Sequence, residues 1–170
     1  VRPHLTNVSE PSGYTRRDLV VTNEGDLAVM LNLPKSAGWP QAEIVTVRQV
    51  VRPDGRPWMP DPSADVLLLG DSFSNIFSLE SMRWGSSAGL AEQLAWELQR
   101  PVDRMVRNDA GAFATRQMLL GELRRRPERF TNKRVVVWQF SERELSFGDW
   151  KRLEWPGSRS SAAGRVEATP

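Results

Sequence analysis

The chain predicts an α/β domain, a three-layer α/β/α sandwich built on a mostly parallel sheet. Val66-Leu67-Leu68-Leu69 is an apolar run without a polar break, the mark of a strand covered on both faces. Gly70 follows at once and lets the backbone turn sharply. Two more short apolar runs lie downstream, Val102–Val106 and Arg134–Phe140, with helical periodicity between them. Buried strands interleaved with helices are the pattern of a doubly wound sheet.

Taken in order, a helix starts at Asn23 or Glu24 and runs to about Leu33, with Leu27, Met30 and Leu31 on one face and Pro34 ending it. Residues 35–41 form a loop, and Glu43–Val51 alternates as a strand exposed on one side. Pro53-Asp54-Gly55-Arg56-Pro57 is a turn, and residues 60–63 link it to the Val66 strand. Ser86 or Ser87 caps a helix running to about Arg100, whose stripe is Leu90, Ala91, Leu94, Ala95 and Leu98. Val102–Val106 is the next strand. Phe113–Arg126 is the next helix, offering Phe113, Met118, Leu119 and Leu123 to the core. Arg134–Phe140 is a third buried strand. Residues 1–155 read as one domain, and residues 156–170, rich in Gly, Ser, Ala and Arg, as a flexible tail.

Composition bounds the function classes. With 170 residues, 39% hydrophobic and 26% charged, the chain suits a single soluble domain able to bury a core. A net charge of +2 implies neither a nucleic-acid nor a membrane partner. The one dense basic run, Arg124-Arg125-Arg126, precedes Pro127 and reads as a solvated helix end favoured by the helix dipole. There is no cysteine, hence no disulfide or thiolate metal site. No run approaches the ~20 apolar residues of a membrane span. Metal clusters, phosphate-cradling glycine loops and dinucleotide fingerprints are all missing, so no cofactor or metal is expected. Val1-Arg2-Pro3-His4 is no signal peptide, and without an initiator Met the chain reads as a fragment or a processed product.

The chemistry centres on Gly70-Asp71-Ser72-Phe73-Ser74. Ser72 falls just past the carboxyl end of a strand, where open α/β sheets place their ligand crevice, so its hydroxyl is the candidate nucleophile. The plainer reading is a strand-to-helix turn with Asp71 or Ser72 as a cap. The segment resembles the nucleophile block of SGNH/GDSL hydrolases. Together with Gly25–Leu31, Asn108–Arg116, and Val135–Leu145 followed by Gly148-Asp149-Trp150, it is similar to the SGNH hydrolase-like domain of the alginate O-acetyltransferase group, from about Asp18 to about Leu153. That resemblance implies a flavodoxin-like SGNH fold. It also implies serine-dependent O-acetyl transfer to a polysaccharide through an acyl-enzyme on Ser72.

The same resemblance sets further expectations. Ordinary SGNH hydrolases carry their base in a late Asp-x-x-His, but Asp149-Trp150-Lys151-Arg152 has Arg in that place. The acetyltransferase group is permuted, with Asp-x-His before the serine, and His4 has no Asp two residues ahead of it. The acid and base are therefore expected upstream of Val1, the rival being that His4 folds back as base. Gly70, Asp71, Asn108 and Gly111 are the candidates for oxyanion stabilisation, with Asn108 or Asp109 as a helix cap the competing reading. Arg116 orients an acidic sugar or an acetyl oxygen, or is surface charge. Glu142, Arg143 and Glu144 form ion pairs worth under ~1 kcal/mol each. Seven Trp residues suit stacking on sugar rings; Trp138 and Trp96 fall on core positions, while Trp39, Trp58 and Trp84 lie in loops and are the candidate platform. The partners implied are a polysaccharide acceptor and an acetyl donor, for which a membrane acyl-transfer protein is a candidate, in the periplasm or cell envelope. A carbohydrate O-acetyl esterase and a noncatalytic polysaccharide-binding or scaffold module of a secretion complex are the alternatives.

Overall fold

The computed structural model describes residues 10–32, 34, 42–108 and 111–155. Its centre is a three-stranded parallel sheet of β3 (Val66–Gly70), β4 (Asp103–Val106) and β5 (Val135–Trp138), in the order β4-β3-β5. Successive side chains of a strand face opposite ways, and β3 is closed over on both sides for that reason. Val66 and Leu68 pack with Val50, Trp58, Val102 and the α3 (Leu90–Leu98) residues Ala91 and Ala95. Leu67 and Leu69 pack with Met105, Trp138 and the α4 (Gly111–Arg125) residues Met118 and Leu119. Helix, sheet and helix thus form the three layers of the expected α/β fold.

Chain direction then sets where the topological switch point of the sheet lies. From β3 the chain crosses over through α3 on one face to β4; from β4 it passes back over β3 through α4 on the other face to β5. The connections leaving β3 and β4 therefore part toward opposite faces. That divergence puts the switch point, where open α/β sheets form their ligand crevice, at the carboxyl ends of the two strands.

β1 (Thr15–Asn23) and β2 (Glu43–Val51) form a separate antiparallel ribbon, paired from Thr15↔Val51 to Asn23↔Glu43. The inner end of β2 is buried through Val47, Val50 and Val51. β1 is laid along α3: Gln99 exchanges two hydrogen bonds with the Tyr14 backbone, and the Arg16 guanidinium sits 3.3 Å from the Trp96 ring centre. Between the ribbon and residues 80–86 lies an open cleft of about 340 Å³, lined by Arg17, Leu19, Val21, Gln49, Glu80, Arg83, Gly85 and Ser86.

Several boundaries differ from the sequence expectation. β1 was not foreseen; its charged residues hide its alternation. α1 covers Asp26–Leu31, shorter than expected at its start. α3 begins at Leu90 behind Gly89, not at Ser86 or Ser87, because Ser87 adopts φ +51 and spends its hydroxyl on the Trp58 carbonyl. β5 is only half-buried, and Val136 is 54% exposed, because β5 is the edge strand, with β3 as its one strand neighbour among the described residues. Arg124, Arg125 and Arg126 are exposed at the end of α4 as expected, though Arg125 and Arg126 pair with the buried Glu122. No helix among the described residues is long and apolar enough to cross a membrane. The expected tail at 156–170 lies outside the described residues.

Candidate active site

The turn after β3 is held on three sides. Asp71, in extended conformation, caps the short helix α2 (Ser72–Asn75) by accepting the Phe73 amide hydrogen at 2.9 Å. Its second carboxylate oxygen accepts from the Ser141 amide at 3.2 Å, which ties the turn to the loop after β5. Gln139, the first residue past β5, takes the Asp71 amide (3.3 Å) and the Ser74 hydroxyl (2.5 Å) on its side-chain oxygen. Gly70 is needed for close approach here. A Cβ at that position would lie 2.2 Å from Ser74 Oγ, so the turn can close only without a side chain.

Ser72 opens α2 and is partly exposed. Its hydroxyl has no hydrogen-bond partner among the described residues. Its amide is one of the helix-start donors with no acceptor inside the helix. Phe73 beside it is 63% exposed. The turn therefore supplies both the cap of the plainer reading, through Asp71, and a free hydroxyl at the next residue.

Across the crevice, Asn108 follows β4. Its side-chain oxygen accepts from Asn75 Nδ2 at 3.1 Å, and its Nδ2 faces Met82 Sδ at 3.8 Å. Asn108 makes no hydrogen bond to α4 among the described residues. The start of α4 is served instead by Glu144, whose carboxylate accepts the Ala112 amide hydrogen at 3.0 Å. Gly111 stands at φ +52, where a Cβ would lie 2.3 Å from that carboxylate; its role is to admit Glu144.

Arg116 is engaged by the chain itself. It donates to the carbonyls of Asp149 (2.5 Å) and Lys151 (3.1 Å) and lies 5.1 Å from the Trp150 ring centre. The sequence reading gave it a sugar or an acetyl oxygen to orient; in the structure Nη1 and Nη2 pin residues 149–151 against α4, while Nε is buried without a partner. Trp150 of that segment packs edge to face on Trp138 and Phe140, whose rings are tilted against each other. Asp149 is held below the ordinary aspartate value, first by the Lys151 amide hydrogen bond and then by the Lys151 ammonium 3.0 Å away.

The expected aromatic platform is corrected. Trp58 is 2% exposed and belongs to the core on the α3 side, and Trp84 is also buried. Both lie in loops, but those loops are packed, so neither ring offers a face to a sugar. Trp39 and His4 lie outside the described residues. Of the candidates, the fold gathers Gly70, Asp71, Ser72 and, through Asn75, Asn108 at the β3–β4 crevice; Gly111 and Arg116 lie on α4. Asn75, Gln139 and Glu144 were not foreseen as site residues, and Asn75 carried the one available signal, one helical turn after Ser72.

The chain covers 90% of itself and 49% of the O-acetyltransferase domain of Pseudomonas putida AlgJ in a structural superposition, at 21% identity and a TM-score of 0.60. It thus spans about half the length of that domain and shares its fold. No curated protein sequence matches it. The SGNH hydrolase-like domain of the acetyltransferase AlgX matches residues 2–142. With most of its length covered by that match, and with a glycine-aspartate-serine turn at the mouth of a doubly wound sheet, the chain belongs to the SGNH hydrolase-like domain family of the acetyltransferase AlgX.

Proposed function

We propose that Ser72 is the acyl-accepting nucleophile in O-acetyl transfer to hydroxyl groups of a polysaccharide, at the periplasmic or cell-envelope side. The observation that carries this reading is the unpartnered, partly exposed Ser72 hydroxyl at the carboxyl end of β3, in a turn held by the Asp71 carboxylate and by the Ser74–Gln139 hydrogen bond. Family membership supports the reaction class.

In the first half-reaction the Ser72 oxygen attacks the acetyl carbonyl of the donor. The serine proton passes to a base, and the donor's leaving group departs with a proton. In the second, a sugar hydroxyl attacks the acetyl-serine ester, and Ser72 recovers its proton. Negative charge on the carbonyl oxygen needs N–H donors placed in advance, and the Ser72 amide and Asn108 Nδ2 are the candidates. No carboxylate or imidazole among the described residues is hydrogen-bonded to Ser72. That observation favours a second reading, a noncatalytic polysaccharide-binding module.

Incubation with p-nitrophenyl acetate, followed by mass spectrometry of the digested protein, separates the two. The expected result is one acetyl group on the Ser72 peptide, formed faster with added imidazole as external base and lost in Ser72→Ala. Acetyl on other residues only, or labelling unchanged in Ser72→Ala, overturns the proposal. Oligosaccharide binding that survives Ser72→Ala without any ester turnover selects the binding module. Transfer of acetyl to an added oligosaccharide, against release to water, separates transferase from esterase.

A further inference from the structure

Asn75 is 5% exposed, and its Oδ1 is buried without a hydrogen-bond partner. An orphaned buried acceptor costs stability, and native proteins keep few of them, so each calls for an explanation. The other edge of the same amide is used: Nδ2 donates to Asn108 Oδ1 at 3.1 Å. Asn75 lies three residues after Ser72 in α2, a spacing that puts both on one face of a helix. Asn108 lies two residues past β4, the strand paired beside β3.

A carboxamide has one accepting edge and one donating edge. By occupying the oxygen of Asn108, Asn75 leaves its Nδ2 as the free edge, met only by the thioether of Met82 at 3.8 Å, a weak acceptor. From this geometry we infer that Asn75 is a positioning residue that sets the orientation of the Asn108 amide, so that an N–H and not an oxygen faces an acyl oxyanion formed on Ser72. The inference rests on the reading of Ser72 given above and assigns Asn75 a task within it. It also accounts for the orphaned Oδ1: the residue is retained for the edge it gives Asn108.

The test is Asn75→Asp alongside Asn75→Ala and Asn108→Ala, in turnover of p-nitrophenyl acetate by the whole chain. Aspartate is nearly isosteric but has only acceptors, so it draws Asn108 Nδ2 inward and turns the oxygen to the site. Removing one oxyanion donor costs about 10²–10³ in kcat, so Asn75→Asp is expected to approach the Asn108→Ala loss. Asn75→Ala, which frees the amide without reversing it, is expected to lose about tenfold. KM should hold in all three, and Asn75→Asp in an Asn108→Ala background should add nothing further. The melting temperature of Asn75→Ala should match the wild type, because the substitution also removes an orphaned acceptor; a merely structural asparagine would lower it. A second readout does not depend on turnover: side-chain amide NMR should show Asn108 NH₂ solvent-exchanging in the wild type and protected in Asn75→Asp. Unchanged kcat in Asn75→Asp with an active wild type overturns this inference alone. A wild type that neither turns over nor is labelled at Ser72 overturns the reading beneath it, and this inference with it.

Discussion

Gly70→Ala tests how tightly the Gly70–Ser74 turn is closed. The new Cβ would stand 2.2 Å from Ser74 Oγ, 2.7 Å from Ser74 Cβ and 3.3 Å from Gln139 Oε1. Ser74 is 1% exposed and has no room to swing away, so the turn must shift as a unit. Overpacking of this kind costs about 1–3 kcal/mol, and breaking the Ser74–Gln139 hydrogen bond adds about 1 kcal/mol. Taking about 3 kcal/mol for the sum, a domain of this size should melt lower by roughly 6–12 °C. Scanning calorimetry of wild type and variant reads this directly. Gly70→Ala/Ser74→Gly removes the two shortest contacts and leaves only the approach to Gln139, so it should recover part of the loss despite the ~1 kcal/mol that glycine costs inside a helix. The acetyl-labelling rate at Ser72 should fall with the first variant, since Ser72 sits between the two displaced residues. A Gly70→Ala protein that melts with the wild type would refute the closed turn.

Other expectations concern the neighbouring contacts. Arg129→Ala withdraws the guanidinium that bonds Asp103 and Glu122, both buried; Lys133 stays 3.0 Å from Asp103, so the loss should sit near the lower end of the range for a broken buried pair, about 3 kcal/mol by urea denaturation. An unchanged midpoint would rule this out. Gly111→Ala forces a side chain into the left-handed region beside Glu144, costing at least about 1 kcal/mol, and Glu144→Ala forfeits the helix-start bond at about 1 kcal/mol. The double variant should cost less than the sum, because the clash disappears with the carboxylate. Arg116→Ala should speed amide exchange at residues 149–153 while leaving β3 protected. Asp149 should titrate below its ordinary 3.8 by NMR. Its ionised form is the one the fold favours, so any benefit is present above that value and fades as pH falls through the folded midpoint. Because this carboxylate is exposed, the melting temperature should hardly respond; Lys151→Ala should raise the midpoint part way.

The elements visible in the sequence were those whose pattern is set by burial. β3 was legible because both its faces are covered, and the α3 stripe because Ala91 and Ala95 recur at helical spacing. β1 was not, since Thr15-Arg16-Arg17-Asp18 carries polar groups on both faces and is fixed by Gln49, Gln93 and Gln99 across long sequence separations. Trp58 and Trp84 misled because loop position was read as exposure, whereas these loops are folded into the interior. In the site, Gly70, Asp71 and Ser72 form a local motif and could be read directly. Gln139 and Asn75 are neutral amides whose purpose depends on which strand ends meet; the helical spacing of Asn75 from Ser72 places it on the same face without showing that Asn108 lies opposite. Glu144 was placed among exposed ion pairs, because the helix amide it serves lies more than thirty residues away.

Asp103 begins β4, and with Arg129, Lys133 and Glu122 it gathers the buried ionic contacts at the amino ends of the strands. The serine turn lies at the opposite ends, roughly 10 Å along β4 at a rise of about 3.3 Å per residue. Substitutions at these two poles share no contact, so their energetic effects should sum. Residues lining the mouth can thus be varied without disturbing the ionic contacts around Asp103.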